Sequence, residues 1–366
     1  MEFLKFAPAV YVIGEEYEIC VAVKAFGLVT VKIGDEVFYE DNSGVLSTEK
    51  LYARIRVPAS VLDAAGAYTV VYRKTVERKS YWSTLGEEES IEYSFKAPDK
   101  NGNLNIYHIS DVHYHFEAAK KVASYFGENI DLYVFNGDIG EVQTDDDYLA
   151  VCKLVGDIAR GSIPVVFVRG NHDTRGYLPE KYTDYFPSNG KNTYFTAKVG
   201  GLKLLCLDLG EDKSDDHEVY GGFNKFHLFR LRQTEFLKGL LAKGEKFDMA
   251  VCHIAPSVNN AVSDGSEFDI EGELYREWID ILEKLGVKVM LSGHMHKALI
   301  FEKQDKRCMR PCAFPIIVGS VTDDDYRQGA ALSFSGDVLS VIFTDAEQNV
   351  TEEYSISLPS GSVEKY

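Results

Sequence analysis

Five apolar segments between residues 104 and 296 each run straight into side chains that carry protons or bind metals. LNIYHIS (104–110) leads into Asp111-Val112-His113, DLYVFN (131–136) into Gly137-Asp138, and VVFV (165–168) into Gly170-Asn171-His172-Asp173. FDMAVC (247–252) leads into His253, and VKVML (287–291) into Gly293-His294-Met295-His296. A strand that only needed to turn could do so with Asn-Gly or Asp-Gly. In open α/β sheets ligands sit beyond the carboxyl ends of the strands, so five such ends can converge on one site.

The rhythm of the chain supports that reading. Residues 146–160, 227–241 and 272–285, and a short segment before Gly127, carry apolar residues at helical spacing. Strands alternating with helices predict an α/β layered architecture after residue 98. Residues 1–97 differ: about seven short strands, at 9–13, 17–23, 28–33, 36–40, 51–57, 67–74 and 91–95, predict an all-β immunoglobulin- or fibronectin-like domain. Ala97-Pro98-Asp99-Lys100-Asn101-Gly102-Asn103 reads as the linker, giving domains 1–97 and 98–366.

Six of the nine histidines (113, 115, 172, 253, 294 and 296) lie in or beside the five ends. One histidine after a strand is most often a satisfied core or surface residue. Six gathered beside aspartates and an asparagine are a different case, and histidine with carboxylate suits Mn, Fe or Zn better than Mg or Ca. On an extended strand His294-x-His296 would place both rings on one side. His108, His217 and His227 read as structural or surface groups.

Charge narrows the partners. With 39 basic and 57 acidic residues the formal net charge is −18, which opposes nucleic acid and anionic membrane surfaces. A small phosphorylated substrate stays compatible, because bound cations invert the local field. No apolar run reaches the ~18 residues of a membrane span, and the start lacks signal-peptide features. A cytoplasmic location is the expectation. The six cysteines are scattered, with Cys308 and Cys312 the one pair whose spacing could form a redox or metal pair.

Asp-x-His, Gly-Asp, Gly-Asn-His-Asp, a later His and Gly-His-x-His, in that order, resemble the five signature blocks of calcineurin-like metallophosphoesterases. The resemblance covers roughly residues 104–320 and implies a four-layer α/β/β/α sandwich. It implies two divalent ions, one held by Asp111, His113, Asp138 and His296, the other by Asp138, Asn171, His253 and His294, with Asp138 as the bridge. It also implies hydrolysis of a phosphate ester, a water activated between the ions attacking phosphorus in line while His172 protonates the leaving oxygen. Glu141, or alternatively Asp173, would orient His172. Arg175 could clamp a phosphate oxygen, and His115 could line the pocket. A β-rich segment ahead of such a domain resembles purple acid phosphatases in outline. Their metal-binding tyrosine is replaced here by Glu141, so no tyrosinate ligand is expected.

Overall fold

The computed structural model describes residues 2–140, 143–258, 270–319, 321–322, 327–358 and 361–366. The chain begins with β1 (Ala9–Ile13), β2 (Glu16–Ile33), β3 (Glu36–Phe38) and β4 (Lys50–Pro58). A short helix, α1 (Ala59–Ala65), precedes β5 (Ala67–Glu77) and β6 (Thr84–Ser94). Where alternation predicts two strands, 17–23 and 28–33, the chain runs through as one. Gly27 permits this: a β-carbon there would lie 2.3 Å from the Tyr72 ring and 2.6 Å from the Arg73 carbonyl oxygen. Pairing with β4 shifts register between Ala22 and Gly27. The sequence reading missed α1, because seven residues make only about two turns and show no clear period.

Beyond the linker come β7 (Asn105–Ile109), α2 (Phe116–Ala123), β8 (Leu132–Asn136), α3 (Asp145–Ala159), β9 (Pro164–Val168) and α4 (Tyr182–Tyr185). They are followed by β10 (Phe195–Val199), β11 (Leu202–Leu207), α5 (Phe226–Ala242), β12 (Met249–Cys252), α6 (Gly272–Lys284) and β13 (Val289–Ser292). The last strands are β14 (Ala298–Phe301), β15 (Ile316–Gly319), β16 (Val321–Thr322), β17 (Arg327–Ser335), β18 (Val338–Thr344), β19 (Val350–Ser357) and β20 (Ser362–Lys365).

Two sheets result. One runs β20-β19-β18-β17-β7-β8-β9-β1-β2-β5-β6, and the other β10-β11-β12-β13-β15-β14. Strands β7, β8 and β9 are parallel, as are β11, β12 and β13, so the carboxyl ends within each set emerge together. Strand period assigns the layers. Ile106, Val134 and Val166 of the first sheet share a core with Leu204, Val251 and Leu291 of the second. On the outer face of the first sheet Tyr107, Phe135 and Phe167 pack with Val122 of α2 and Val151 of α3. Outside the second, Leu205, Ala250 and Met290 pack with Leu237 of α5 and Trp278 of α6. The layers are therefore helix, sheet, sheet, helix.

The amino-terminal strands continue the first sheet. β1 lies parallel beside β9, Val10 opposite Pro164 and Tyr11 opposite Val165. Val10, Val12, Tyr17 and Ile19 belong to the same core as Ile106 and Val134. Among the described residues no helix is long and apolar enough to cross a membrane. All six cysteines are free and buried, and the Cys312 thiol donates to the Phe314 carbonyl.

His108 in β7 is fully buried, and Asn136 Nδ2 donates to its Nε2 at 3.1 Å. Burial pulls its pKa down to about 3. The folded value is below the unfolded value near 6.5, so below that pH the unfolded chain takes up a proton that the folded chain refuses. Stability then falls as pH falls, by about 1.4 kcal/mol per unit between about 6.5 and 3. Denaturant midpoints at pH 7.5 and 5.0 check this: the wild type should lose about 2 kcal/mol more than His108→Gln. Equal losses would remove His108 as the cause.

Candidate metal centre

The five polar ends meet where the two sheets open. Ends β7, β8 and β9 of the first sheet supply Asp111, His113, Asp138 and Asn171; β12 and β13 of the second supply His253, His294 and His296. Asp111, His113, Tyr114, Asp138, His294 and His296 all have left-handed backbone, with φ between 43° and 68°. Each such non-glycine residue costs roughly 1 kcal/mol, and strain gathered at one place points to function there. It also corrects the expectation for His294 and His296. They lie past the end of β13 and are not extended, so the period-two argument does not apply to them.

The two rings instead go to two groups of ligand atoms. Asp111, His113 and His296 form one, and Asp138, His253 and His294 the other, each with its donor atoms within 4.8 Å of one another. Asp138 Oδ2 stands between them, 3.1 Å from His253 Nε2 and 4.0 Å from His113 Nε2. The Asn171 side-chain amide lies 3.3 Å from that carboxylate oxygen and 3.0 Å from His294 Nδ1. His113 Nε2 and His294 Nε2 are buried with no hydrogen-bond partner among the described residues, a costly state that a metal relieves. The residues present therefore fit divalent metal.

Supporting contacts fix how these ligands present. The carbonyl of Asn136 lies 2.6 Å from His253 Nδ1, which holds the proton there and leaves Nε2 facing Asp138. Ser110 donates to Asp111 Oδ2 at 2.7 Å, and the His294 amide to both its oxygens at 3.0 and 3.1 Å. Burial would strip the proton from His253, but Asp138 and Asp111 outweigh burial and raise its pKa to about 10. For His294, burial and the neighbouring His253 lower it to about 4. A site that retains a proton on a buried imidazole has a negative field suited to cations.

Residues 104–298 match the family model described as calcineurin-like phosphoesterase. The chain belongs to that family. It is 26% identical over 148 residues to the serine/threonine-protein phosphatase CPPED1 of Danio rerio, a match covering 40% of this chain and 47% of that protein. The chain thus spans about half the length of this curated relative. Among solved structures, the fold is similar to purple acid phosphatase PPD1 from yellow lupin (Lupinus luteus) seeds. The TM-score is 0.63 at 12% identity, over 96% of this chain and 74% of that one. It is also similar to PhoD, with a TM-score of 0.59 at 12% identity over 100% of this chain and 92% of that one. These structural likenesses carry the fold alone.

Around the candidate ligand set of this calcineurin-like phosphoesterase, the other expected residues divide. His172 stands at the site: its amide donates to Asp138 Oδ1 at 2.8 Å and its ring meets the His113 ring edge-on at 4.8 Å. Asp173 does backbone work, its Oδ2 accepting from the amides of Gly170 (2.8 Å) and Asp138 (3.0 Å). Burial and the Asp138 charge raise it to about 6. His115 is the N-cap residue of α2, its carbonyl accepting from Ala119. Glu141 lies outside the described residues. Arg175 is half-buried beside His172, Nη1 3.1 Å from His172 Nε2, and pairs with Glu211. Sequence reasoning missed Glu211. The available signal was a sixth apolar run, LKLLCL of β11, ending in Asp208-Leu209-Gly210-Glu211-Asp212.

Gly170 makes the Asp138 placement possible. A β-carbon on it would lie 2.2 Å from Asp138 Oδ1 and 2.5 Å from the Asp138 amide. Gly170→Ala should therefore displace Asp138 and weaken metal retention roughly 10–100-fold, the range for lost support of a ligand. Metal titration against a chelator measures it, and unchanged affinity would show that the loop relaxes without moving Asp138.

Proposed function

We propose that the chain is a dinuclear metal-dependent phosphoesterase whose ion pair is bridged by Asp138. The observation that carries the reading is the position of Asp138 Oδ2 between two three-residue ligand groups. Asp111, His113, Asp138 and His296 would hold one ion; Asp138, Asn171, His253 and His294 the other. Mn, Fe and Zn suit this donor set. Bound there, the ions supply an activated water and stabilise charge on the phosphoryl oxygens.

The chain's own residues do the rest. Asn171, a neutral donor, limits the negative charge gathered between the ions. His172, held by its backbone against Asp138, is placed to deliver a proton to the leaving oxygen. The guanidinium of Arg175 has only donors, so the Nε2 it faces is the unprotonated ring nitrogen while that contact lasts. A phosphate oxygen that takes the Nη1 donor while the His172 ring turns away frees Nε2 to carry the proton. Arg175 is already paired with Glu211 and stands 3.6 Å from Asp212. Its charge is thus largely offset, which favours an ester of low charge: a phosphodiester, such as a cyclic or other nucleotide, or a bulky phosphorylated small molecule. The net charge of −18 disfavours a nucleic-acid substrate.

The test is a paired assay on a chromogenic phosphomonoester and its bis-ester, with metal content measured and with or without added Mn²⁺. Turnover with two metals per chain supports the proposal and selects the ester class. Two metals without turnover would favour a scaffold that retains the fold. No metal under any condition would sink the reading.

A further inference from the structure

We infer that Glu211 is a positioning residue: it sets the Arg175 guanidinium against the reacting phosphoryl group, and Tyr220 couples that setting to the loop of residues 212–223. The inference rests on the phosphoesterase reading above. Glu211 is 1% exposed, and both its oxygens are occupied. Oε1 is 2.9 Å from the Thr174 hydroxyl and 2.8 Å from Arg175 Nε; Oε2 is 2.8 Å from Arg175 Nη2 and 2.8 Å from the Tyr220 hydroxyl. Two parallel bonds between a planar carboxylate and a planar guanidinium leave the latter little rotation.

What the pair leaves over is directed at the site. Nε and Nη2 are bound to Glu211, and Nη1 points at His172 Nε2. Nη2 also lies 3.2 Å from the Asn171 amide. The guanidinium therefore stands between the proposed proton donor and a proposed metal ligand, where a phosphoryl oxygen would sit. A buried ion pair adds little stability over an apolar pair of the same size, so its value here is geometric. The Tyr220 hydroxyl reaches Glu211 from a loop that continues through Gly221 and Gly222, both left-handed, to Phe223, 93% exposed. The same hydroxyl lies 3.2 Å from Asp212 Oδ1, so a substrate touching that loop would shift Arg175 through this one tyrosine.

The test uses the full metal-loaded chain and four variants: Glu211→Gln, Tyr220→Phe, Arg175→Met and the double Glu211→Gln/Arg175→Met. Readouts are metal content, kcat and KM on the ester turned over fastest, and calorimetric affinity for inorganic phosphate. Glu211→Gln should raise KM and weaken phosphate roughly 10–100-fold with metal content unchanged, the lost placement of the guanidinium outweighing the negative charge removed beside it. Tyr220→Phe should shift both in the same direction by a few-fold. The double variant should be no worse than Arg175→Met, because Glu211 acts only through the arginine. An equal loss from Glu211→Gln with and without Arg175 would overturn the inference, as would loss of metal. If Glu211→Gln fails to fold, Tyr220→Phe decides: unchanged phosphate affinity sinks the coupling. Phosphate affinity needs no turnover, so a wild type that binds phosphate yet cleaves neither ester counts against the phosphoesterase reading alone.

Discussion

Asp138→Asn is expected to lower turnover by at least ~10³-fold and reduce bound metal from two ions toward one. Two divalent ions ~4 Å apart repel by about 17 kcal/mol at an effective dielectric near 20, and a shared anion is what offsets this. The Asp138 carboxylate is 1% exposed, with Oδ1 fixed by the His172 amide and Oδ2 left facing both ligand groups. Asparagine can keep the first bond with its oxygen. It then puts an NH2 group, two donors and no charge, where the ions need an anion. Stability gives an independent readout. Saturating Mn²⁺ at 100 times its dissociation constant should stabilise the wild type by about 2.7 kcal/mol, seen as a raised melting midpoint. The variant should gain much less. Full metal content with full activity would remove Asp138 from the bridging position.

The candidate ligand set was legible because each member sits within a few residues of a buried strand end, and local pattern records that. Which sheet each strand joins was not. A strand buried on both faces, such as β8 or β12, reads as an unbroken apolar run whichever neighbour it takes. The five ends therefore read alike in sequence, and they divide between the two sheets. β1 was similarly ambiguous: Ala9–Ile13 is buried at all five positions, the pattern of a strand inside a sheet, and its partner β9 lies more than 150 residues away. The pairing of Glu211 with Arg175 was hidden for the same reason. A carboxylate 36 residues from Arg175 leaves no trace in spacing, and only the shape of the contact gives it a role. Backbone strain was invisible too, since the left-handed Asp111, Asp138 and His294 carry no glycine signal. Ligand identity is local chemistry; the conformation and support of those ligands are tertiary.

His172→Gln separates proton delivery from metal binding. The backbone amide, not the ring, holds Asp138, so the variant should keep both metals. The ring's neighbours include His113 and the Arg175 guanidinium, a position that suits handling a proton beside the phosphoryl group. For an alkyl phosphate ester, whose leaving alkoxide is strongly basic, kcat should fall ~10²–10⁴-fold, the usual worth of a positioned general acid. For a nitrophenyl ester the leaving phenolate departs without a proton, and the loss should be within about tenfold. The ratio of the two losses is the signature, because damage to the metal site would slow both esters together. Equal losses with metal retained would assign His172 to holding the phosphoryl group, and the proton would then have to come from solvent. A selective loss on the alkyl ester leaves His172 as the proton donor and makes the Arg175 contact at Nε2 the step that must open before bond cleavage.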